Sequence, residues 1–195
     1  MSIPNNICVD EKATFFNVKN RYKIYDETSG EVILQCVEQG NLGLKLLKLI
    51  GLRNFVPLHI SVYLNERTLF EIKRSFWASF RIWYQLKVYN EDGTLLGLID
   101  EHSKTNPEIR IYNNESKLIL KATSNNLLWS HYNYVFKRKG DTIAKMNKEW
   151  KGRILKEMFT SADKYRIEFN PKYSEDQRIK KLTLASCLSI DLLLK

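Results

Sequence analysis

Cysteine is scarce: the 195-residue sequence holds three, Cys8, Cys36 and Cys187, odd in number and far apart. With no CxxC spacing, neither a disulfide frame nor a thiolate zinc site is supported, and a reducing, cytoplasmic setting is expected. Eight glycines and four prolines are too few for a collagen-like or low-complexity chain. Met1 to Asp10 contains neither a basic stretch nor an apolar one, so no secretory signal is visible and the mature chain is expected to begin there. The longest apolar run, Leu182 to Leu194, is interrupted by Thr183, Ser186, Ser189 and Asp191. As a helix it would rise about 20 Å, short of the roughly 30 Å hydrocarbon core, so it should not span a bilayer alone. His59, His102 and His131 fall in no HExxH, GxSxG or Cys/His arrangement, and no cofactor is expected.

What is present is a core-forming composition, 44% hydrophobic and 12% aromatic, with a formal charge of +9. One pattern returns along the chain: an apolar alternating run, a polar turn, a second apolar run. Its copies are Ile24 to Leu34, Val62 to Phe70, Val88 to Leu98, Ile111 to Leu120 and Val135 to Ile143. Asn, Asp and Gly tolerate the positive φ of tight turns, and flanking Val, Ile, Tyr and Leu suit a half-buried pleated surface, so each copy reads as a β-hairpin. Residues 88, 111 and 135 are 23 and 24 apart, a spacing that favours a meander over βαβ units. Alternation in Leu86-Lys87-Val88, Ile109-Arg110-Ile111 and Tyr165-Arg166-Ile167-Glu168-Phe169 gives one wet and one dry face. About ten to twelve such strands should curl into a barrel or sandwich rather than leave open edges.

The segment Arg178 to Lys195 holds no Gly or Pro and is apolar all round from Leu182 onward, while Glu175 and Asp176 before it suit a helix N-terminus. A helix apolar on every side must be enclosed. Thr183, Ser186 and Ser189 can bond back to carbonyls four residues earlier, so this helix is expected inside the barrel; a strand pair or a membrane-dipping segment has the same periodicity. Leu42 to Leu52, with Lys45 and Lys48 on one side, reads either as a helix closing a barrel mouth or as a basic amphipathic helix at a lipid interface.

Further along, Lys148-Glu-Trp150-Lys-Gly152, Glu157-Met-Phe159-Thr-Ser-Ala-Asp163, the alternating strand around Tyr165 to Phe169 and a final apolar segment with Ile190-Asp191 follow in order. Tyr25-Asp26, Glu38-Gln39 and Leu96-Gly97-Leu98-Ile99 precede them in compatible order. This series resembles the phospholipid scramblase family and its relatives, the LURP-one-related proteins and the tubby C-terminal domain, over roughly Lys12 to Lys195. The resemblance implies a mainly β fold: a tubby-like twelve-stranded antiparallel barrel around a central hydrophobic C-terminal helix, with residues 1–11 as a short leading segment and 12–195 as one barrel domain. Departures accompany it. The proline-rich extension and clustered palmitoylation cysteines of scramblases are missing. The family's proposed calcium segment begins Asp-Ala-Asp, whereas this chain has Ser161-Ala162-Asp163 with Lys164 and Lys172 nearby, so no Ca²⁺ site is expected.

Isolated reactive groups do not converge. Asp100-Glu101-His102 reads as a solvated strand end or as an acid/base or metal cluster, and Cys187 as a small core residue rather than a nucleophile. Asp191 would need a partner if buried. Positive charge is the stronger signal. Lys137-Arg138-Lys139 forms one cluster; Lys145, Lys148, Lys151, Arg153 and Lys156 surround Trp150; Arg178, Lys180 and Lys181 form a third. An indole among lysines suits a headgroup-level interface, so Lys145, Lys148, Trp150, Lys151, Arg153, Lys156, Arg178, Lys180 and Lys181 are the candidate lipid-binding residues. Phe76 to Phe80 after Lys73-Arg74 is a membrane-contacting loop or a buried strand. The expected activity is non-enzymatic: a scramblase-like protein at an anionic phospholipid surface, cytoplasmic and peripheral, with scrambling as the finer expectation. The alternatives are a nucleic-acid-binding or transcription-associated barrel, since a cationic chain attracts any phosphate, and an interaction scaffold.

Overall fold

The structure, a computed structural model, describes residues 2–11, 21–39, 57–75, 85–101, 108–124, 133–148 and 164–194. Its strands are β1 (Asn6–Glu11), β2 (Arg21–Asp26), β3 (Val32–Gln39), β4 (Leu58–Leu64), β5 (Arg67–Arg74) and β6 (Gln85–Asn90). They continue as β7 (Leu95–Glu101), β8 (Glu108–Asn113), β9 (Leu118–Ser124), β10 (Tyr134–Arg138), β11 (Asp141–Lys148) and β12 (Lys164–Phe169). A single-turn 3₁₀ segment, Pro171–Tyr173, leads into the helix α1 (Gln177–Leu194). Every strand pairs antiparallel with its sequence neighbours, and β1 closes the ring on β12 with Ile7 opposite Ile167 and Val9 opposite Tyr165.

The five repeated sequence patterns are the hairpins β2–β3, β4–β5, β6–β7, β8–β9 and β10–β11. Each carries a register shift just before its turn, at Ile24/Tyr25, Val62/Tyr63, Val88/Tyr89, Ile111/Tyr112 and Phe136/Lys137. A shift of this kind sharpens the local twist and bends the strand, which a sheet needs in order to close on itself. In the β10–β11 turn, Lys139 at φ 50 and Gly140 at φ 95 supply the left-handed conformation the tight connection requires.

Alternation puts Ile7, Ile24, Val62, Phe70, Val88, Ile111, Phe136 and Ile167 inward with essentially no exposure. They meet α1, whose residues Leu182, Leu184, Ala185, Cys187, Leu188 and Ile190 are equally buried. The helix is therefore the core of the can. Asp176 caps it, accepting from the Ile179 amide at 3.0 Å. Ser186 and Ser189 donate to the Leu182 and Ala185 carbonyls at 2.8 and 2.6 Å, which removes the cost of burying their hydroxyls. Thr183 departs from that expectation: its hydroxyl is buried without a hydrogen-bond partner.

Asn6–Glu11 is part of the barrel and not a leading segment. Its alternation, with Ile7 and Val9 inward, is only one strand long, and its partners lie at the far end of the sequence. The expected helix at Leu42 to Leu52 and the stretch Phe76 to Phe80 lie outside the described residues.

Gly97 is packed tightly against both the neighbouring strand and the helix. A Cβ there would overlap the Tyr112 carbonyl oxygen and stand 2.9 Å from Leu182 Cδ2. Gly97→Ala is expected to cost about 1–3 kcal/mol through overpacking, read as a lower urea midpoint at unchanged slope; a midpoint equal to wild type would mean that the helix does not press on β7.

Candidate functional site

The up-and-down order of the meander sorts the connections by end. The turns β2–β3, β4–β5, β6–β7, β8–β9 and β10–β11, together with the start of α1, lie at one end. The connections β1–β2, β3–β4, β5–β6, β7–β8, β9–β10 and β11–β12 leave the strands at the other. Lys145 sits on the outer face of β11, exposed, in register with Glu168 and Val135. Lys148 is the last residue of β11, at the long-connection end. Trp150, Lys151, Arg153 and Lys156 lie outside the described residues.

The third basic cluster is split by the helix entering the barrel. Arg178 is exposed, and its guanidinium donates to the Asn114 Oδ1 at 2.6 Å and to the Leu96 carbonyl at 3.2 Å, tying the helix start to the β8–β9 turn and β7. Lys181 is half-buried and within electrostatic reach of Asp92, whose carboxyl is held below its ordinary range chiefly by hydrogen bonds from Thr94. Lys180 is 2% exposed and faces inward. Adjacent lysines at a helix start read as solvated in sequence, but one turn into a barrel mouth one of the two must point to the wall.

The first basic cluster, Lys137-Arg138-Lys139, lines one side of a concave surface on the outer wall between the β8–β9 and β10–β11 turns, whose apolar part the sequence patterns did not single out. This surface is a groove of about 700 Å³ lined by Asn113, Lys117 to Lys121, Thr123 and Lys137 to Gly140. Leu118 is 46% exposed in it, one of two large hydrophobic residues so exposed among the described residues. Lys121 and Lys137 are direct cross-strand partners, a like-charge opposition that disfavours the pairing. Lys121 reaches Glu108 only at 3.9 Å, Lys117 pairs with Glu115 at 2.9 Å and Arg138 with Asp176 at 3.8 Å. The signal in sequence was Lys117-Leu-Ile-Leu-Lys121, apolar without alternation, because the register shift at Ile111/Tyr112 turns Leu118 outward.

Elsewhere on the wall, Glu71 accepts from His59 at 2.7 Å, from Lys73 at 2.6 Å and from Ser61 at 3.3 Å. Partial burial pushes its carboxyl up, and the Lys73 and His59 contacts more than offset that, leaving it below the ordinary range. Ser61 bonds to the carboxylate and not to the imidazole, so the set lacks the nucleophile–base contact of acyl-transfer sites. Among the described residues no group of three or more His, Cys, Asp and Glu side chains could hold a metal ion. Burial pushes the thiols of Cys36 and Cys187 far up, which keeps both unreactive.

Compared with protein-family profiles, the sequence matches the one described as Scramblase over residues 2–194. The chain belongs to the scramblase family. No curated protein and no solved structure gives a significant match. In this scramblase-family chain, no helix among the described residues is long and apolar enough to cross a membrane.

Lys180 does other work in the scramblase-family barrel than the lipid contact expected of it. Its ammonium donates to the Ile3 carbonyl at 2.6 Å and the Asn5 Oδ1 at 2.8 Å, and stands 5.5 Å from the Phe169 ring centroid. The Ile3 amide in turn donates to Gln177 Oε1 at 2.9 Å. The N-terminal segment is thereby fastened across the barrel end to the first turn of the helix. Desolvation holds the Lys180 pKa below its ordinary value, partly countered by Glu175. Between the folded and unfolded pKa the unfolded chain binds more protons, so this residue's contribution to stability rises with pH across that window. The stability difference between wild type and Lys180→Met should therefore shift in favour of wild type as pH approaches 10.5; a pH-independent difference in urea midpoint would show that the ammonium is not desolvated.

Proposed function

We propose that this scramblase-family protein binds anionic phospholipid at a membrane surface, with the long-connection end of the barrel toward the lipid. The observation that carries this reading is a bias in the sequence of the segments that join the strands. Between the strands whose ends lie opposite the tight turns, the joining segments contain Lys12, Lys19, Lys45, Lys48, Arg53, Arg81, Lys104, Lys151, Arg153 and Lys156 against Glu149, Glu157 and Asp163, and all four tryptophans, Trp77, Trp83, Trp129 and Trp150. The tight turns and the corner before α1 contain Glu27, Glu31, Glu66, Glu91, Asp92, Glu115, Glu175 and Asp176 against Lys117, Lys139 and Lys172, and the start of α1 adds Arg178, Lys180 and Lys181, which brings that end near charge balance. Cations meet lipid phosphate and indoles settle at headgroup depth, so this bias favours contact through the joining segments on an anionic leaflet.

Lys145, Lys148, Trp150, Lys151, Arg153 and Lys156 are the contact we assign within the long-connection end, while Arg178, Lys180 and Lys181 belong to the opposite end by their position on α1. Binding, rather than transfer across the bilayer, is the act this arrangement supports. Transfer needs a polar route through about 30 Å of hydrocarbon, and the one long apolar helix described is enclosed by strands. Nucleic-acid binding shares the cationic attraction but leaves the tryptophan clustering unused, and no recognition-helix, RNP or zinc pattern accompanies it.

Vesicle co-sedimentation is the test. Phosphatidylserine or phosphoinositide vesicles should carry the protein down, neutral vesicles should not, and high salt should release it. Replacing Lys148, Lys151 and Arg153 together by Ala should weaken binding by about 3 kcal/mol, roughly a hundredfold, at unchanged melting temperature. Equal sedimentation with neutral vesicles, or stronger retention by a single-stranded oligonucleotide, would overturn the reading.

A further inference from the structure

The groove on the outer wall runs from the β8–β9 and β10–β11 turns along β9 as far as Thr123, and is chemically different from the proposed membrane face. Its floor is apolar: Leu118 is 46% exposed, Ile119 is half-buried beside it, and both line a concavity of about 700 Å³. That size falls in the range of roughly 300–1,000 Å³ typical of sites that enclose one small ligand, whereas a bilayer cannot enter a concave wall. Its rim is cationic. Lys121 and Lys137 oppose each other in register across β9 and β10, and Lys139 stands at the tip of the adjoining turn. Among the described residues no carboxylate pairs with Lys137 or Lys139, and the Glu108 contact to Lys121 is long at 3.9 Å.

Two like charges held face to face beside an exposed leucine raise the energy of the empty groove on two counts. An anion between the ammonium groups relieves the repulsion, and an attached hydrocarbon covers the leucine. A free phosphate would satisfy only the rim, and an uncharged hydrocarbon only the floor. We propose that this groove is a binding site for a single anionic phospholipid molecule, its acyl portion along Leu118 and Ile119 and its phosphate between Lys121 and Lys137. The proposal rests on the reading of anionic phospholipid as the ligand, and adds a second, monomer-binding site to the bilayer-facing end.

The test uses the full chain and dihexanoyl phosphatidylserine kept below its micelle concentration, with binding read by isothermal titration. Saturable one-to-one binding is expected, reduced at least tenfold by Leu118→Asp and by the double variant Lys121→Glu/Lys137→Glu. Sedimentation of the same variants with phosphatidylserine vesicles should be unchanged, because none of the three residues belongs to the bilayer contact assigned above. Leu118, Lys121 and Lys137 are exposed, and thermal melts verify that the variants fold. Glycerophosphoserine, which has the headgroup without tails, and dihexanoyl phosphatidylcholine should both bind at least tenfold more weakly.

Failure takes distinguishable forms. If vesicles sediment the protein but the short-chain lipid does not bind, or binds the variants equally, the groove site is refuted and the bilayer reading stands. Equal binding of glycerophosphoserine reduces the groove to an anion site and overturns the lipid assignment. If an acidic peptide displaces the short-chain lipid and binds more tightly, the site is a peptide groove and the proposal is wrong. Loss of both vesicle and monomer binding in the wild type removes both readings together.

Discussion

A helix without a polar face has to be surrounded, and most of the architecture follows from that requirement. A single open sheet covers only one side of Leu182, Leu184, Ala185, Leu188 and Ile190, whereas the closed ring of strands buries them all. The ring must then be wide enough to admit a helix about 10 Å across with side chains, which twelve strands achieve. The inner residues are of moderate size, Ile, Val and Leu with a few aromatics, because the helix fills the volume that larger side chains would otherwise have to fill. At Gly97 even a methyl group is excluded, by the Tyr112 carbonyl of the neighbouring strand and by Leu182 of the helix.

That logic also decides what was legible in the sequence. Hairpins are local, so turn chemistry and alternation exposed five of them, and an apolar run with no wet side already implied an enclosure. Pairing of β1 with β12 joins residues more than 150 positions apart, and no local pattern encodes it; residues 1–11 consequently read as a short N-terminal segment outside the barrel domain. Lys180 was misjudged for a related reason. A lysine pair at a helix start signals solvent, but here the helix starts at a barrel mouth and one lysine finds a carbonyl and an amide oxygen from the far end of the chain. Of the groove, the Lys137-Arg138-Lys139 side was legible as a basic cluster, but the apolar floor was not, because Leu118 owes its exposure to a register shift, and a register shift is a property of two strands rather than of either one.

Family membership and the physical layout point the same way without saying the same thing. The scramblase match shows the family. The sequence adds a bias, since the segments joining the strands opposite the tight turns are rich in cations and contain all four tryptophans, whereas the tight turns with the start of α1 are near charge balance. Enclosing the apolar helix leaves the outer skin as the part available for lipid. The activity is therefore expected to reside in wall and connections, and variants inside the can should act through stability alone.

The fastening of Ile3 to Gln177 and Lys180, together with the β1–β12 seam, joins segments more than 150 positions apart. The helix that fills the interior follows all twelve strands in chain order, so during synthesis the strands leave the ribosome before the element they wrap around. A nascent chain of this design carries a dozen half-dry ribbons with no centre until the helix emerges. Ring closure and core formation then fall together at that point, and a premature stop anywhere before the helix would leave a sheet with no centre.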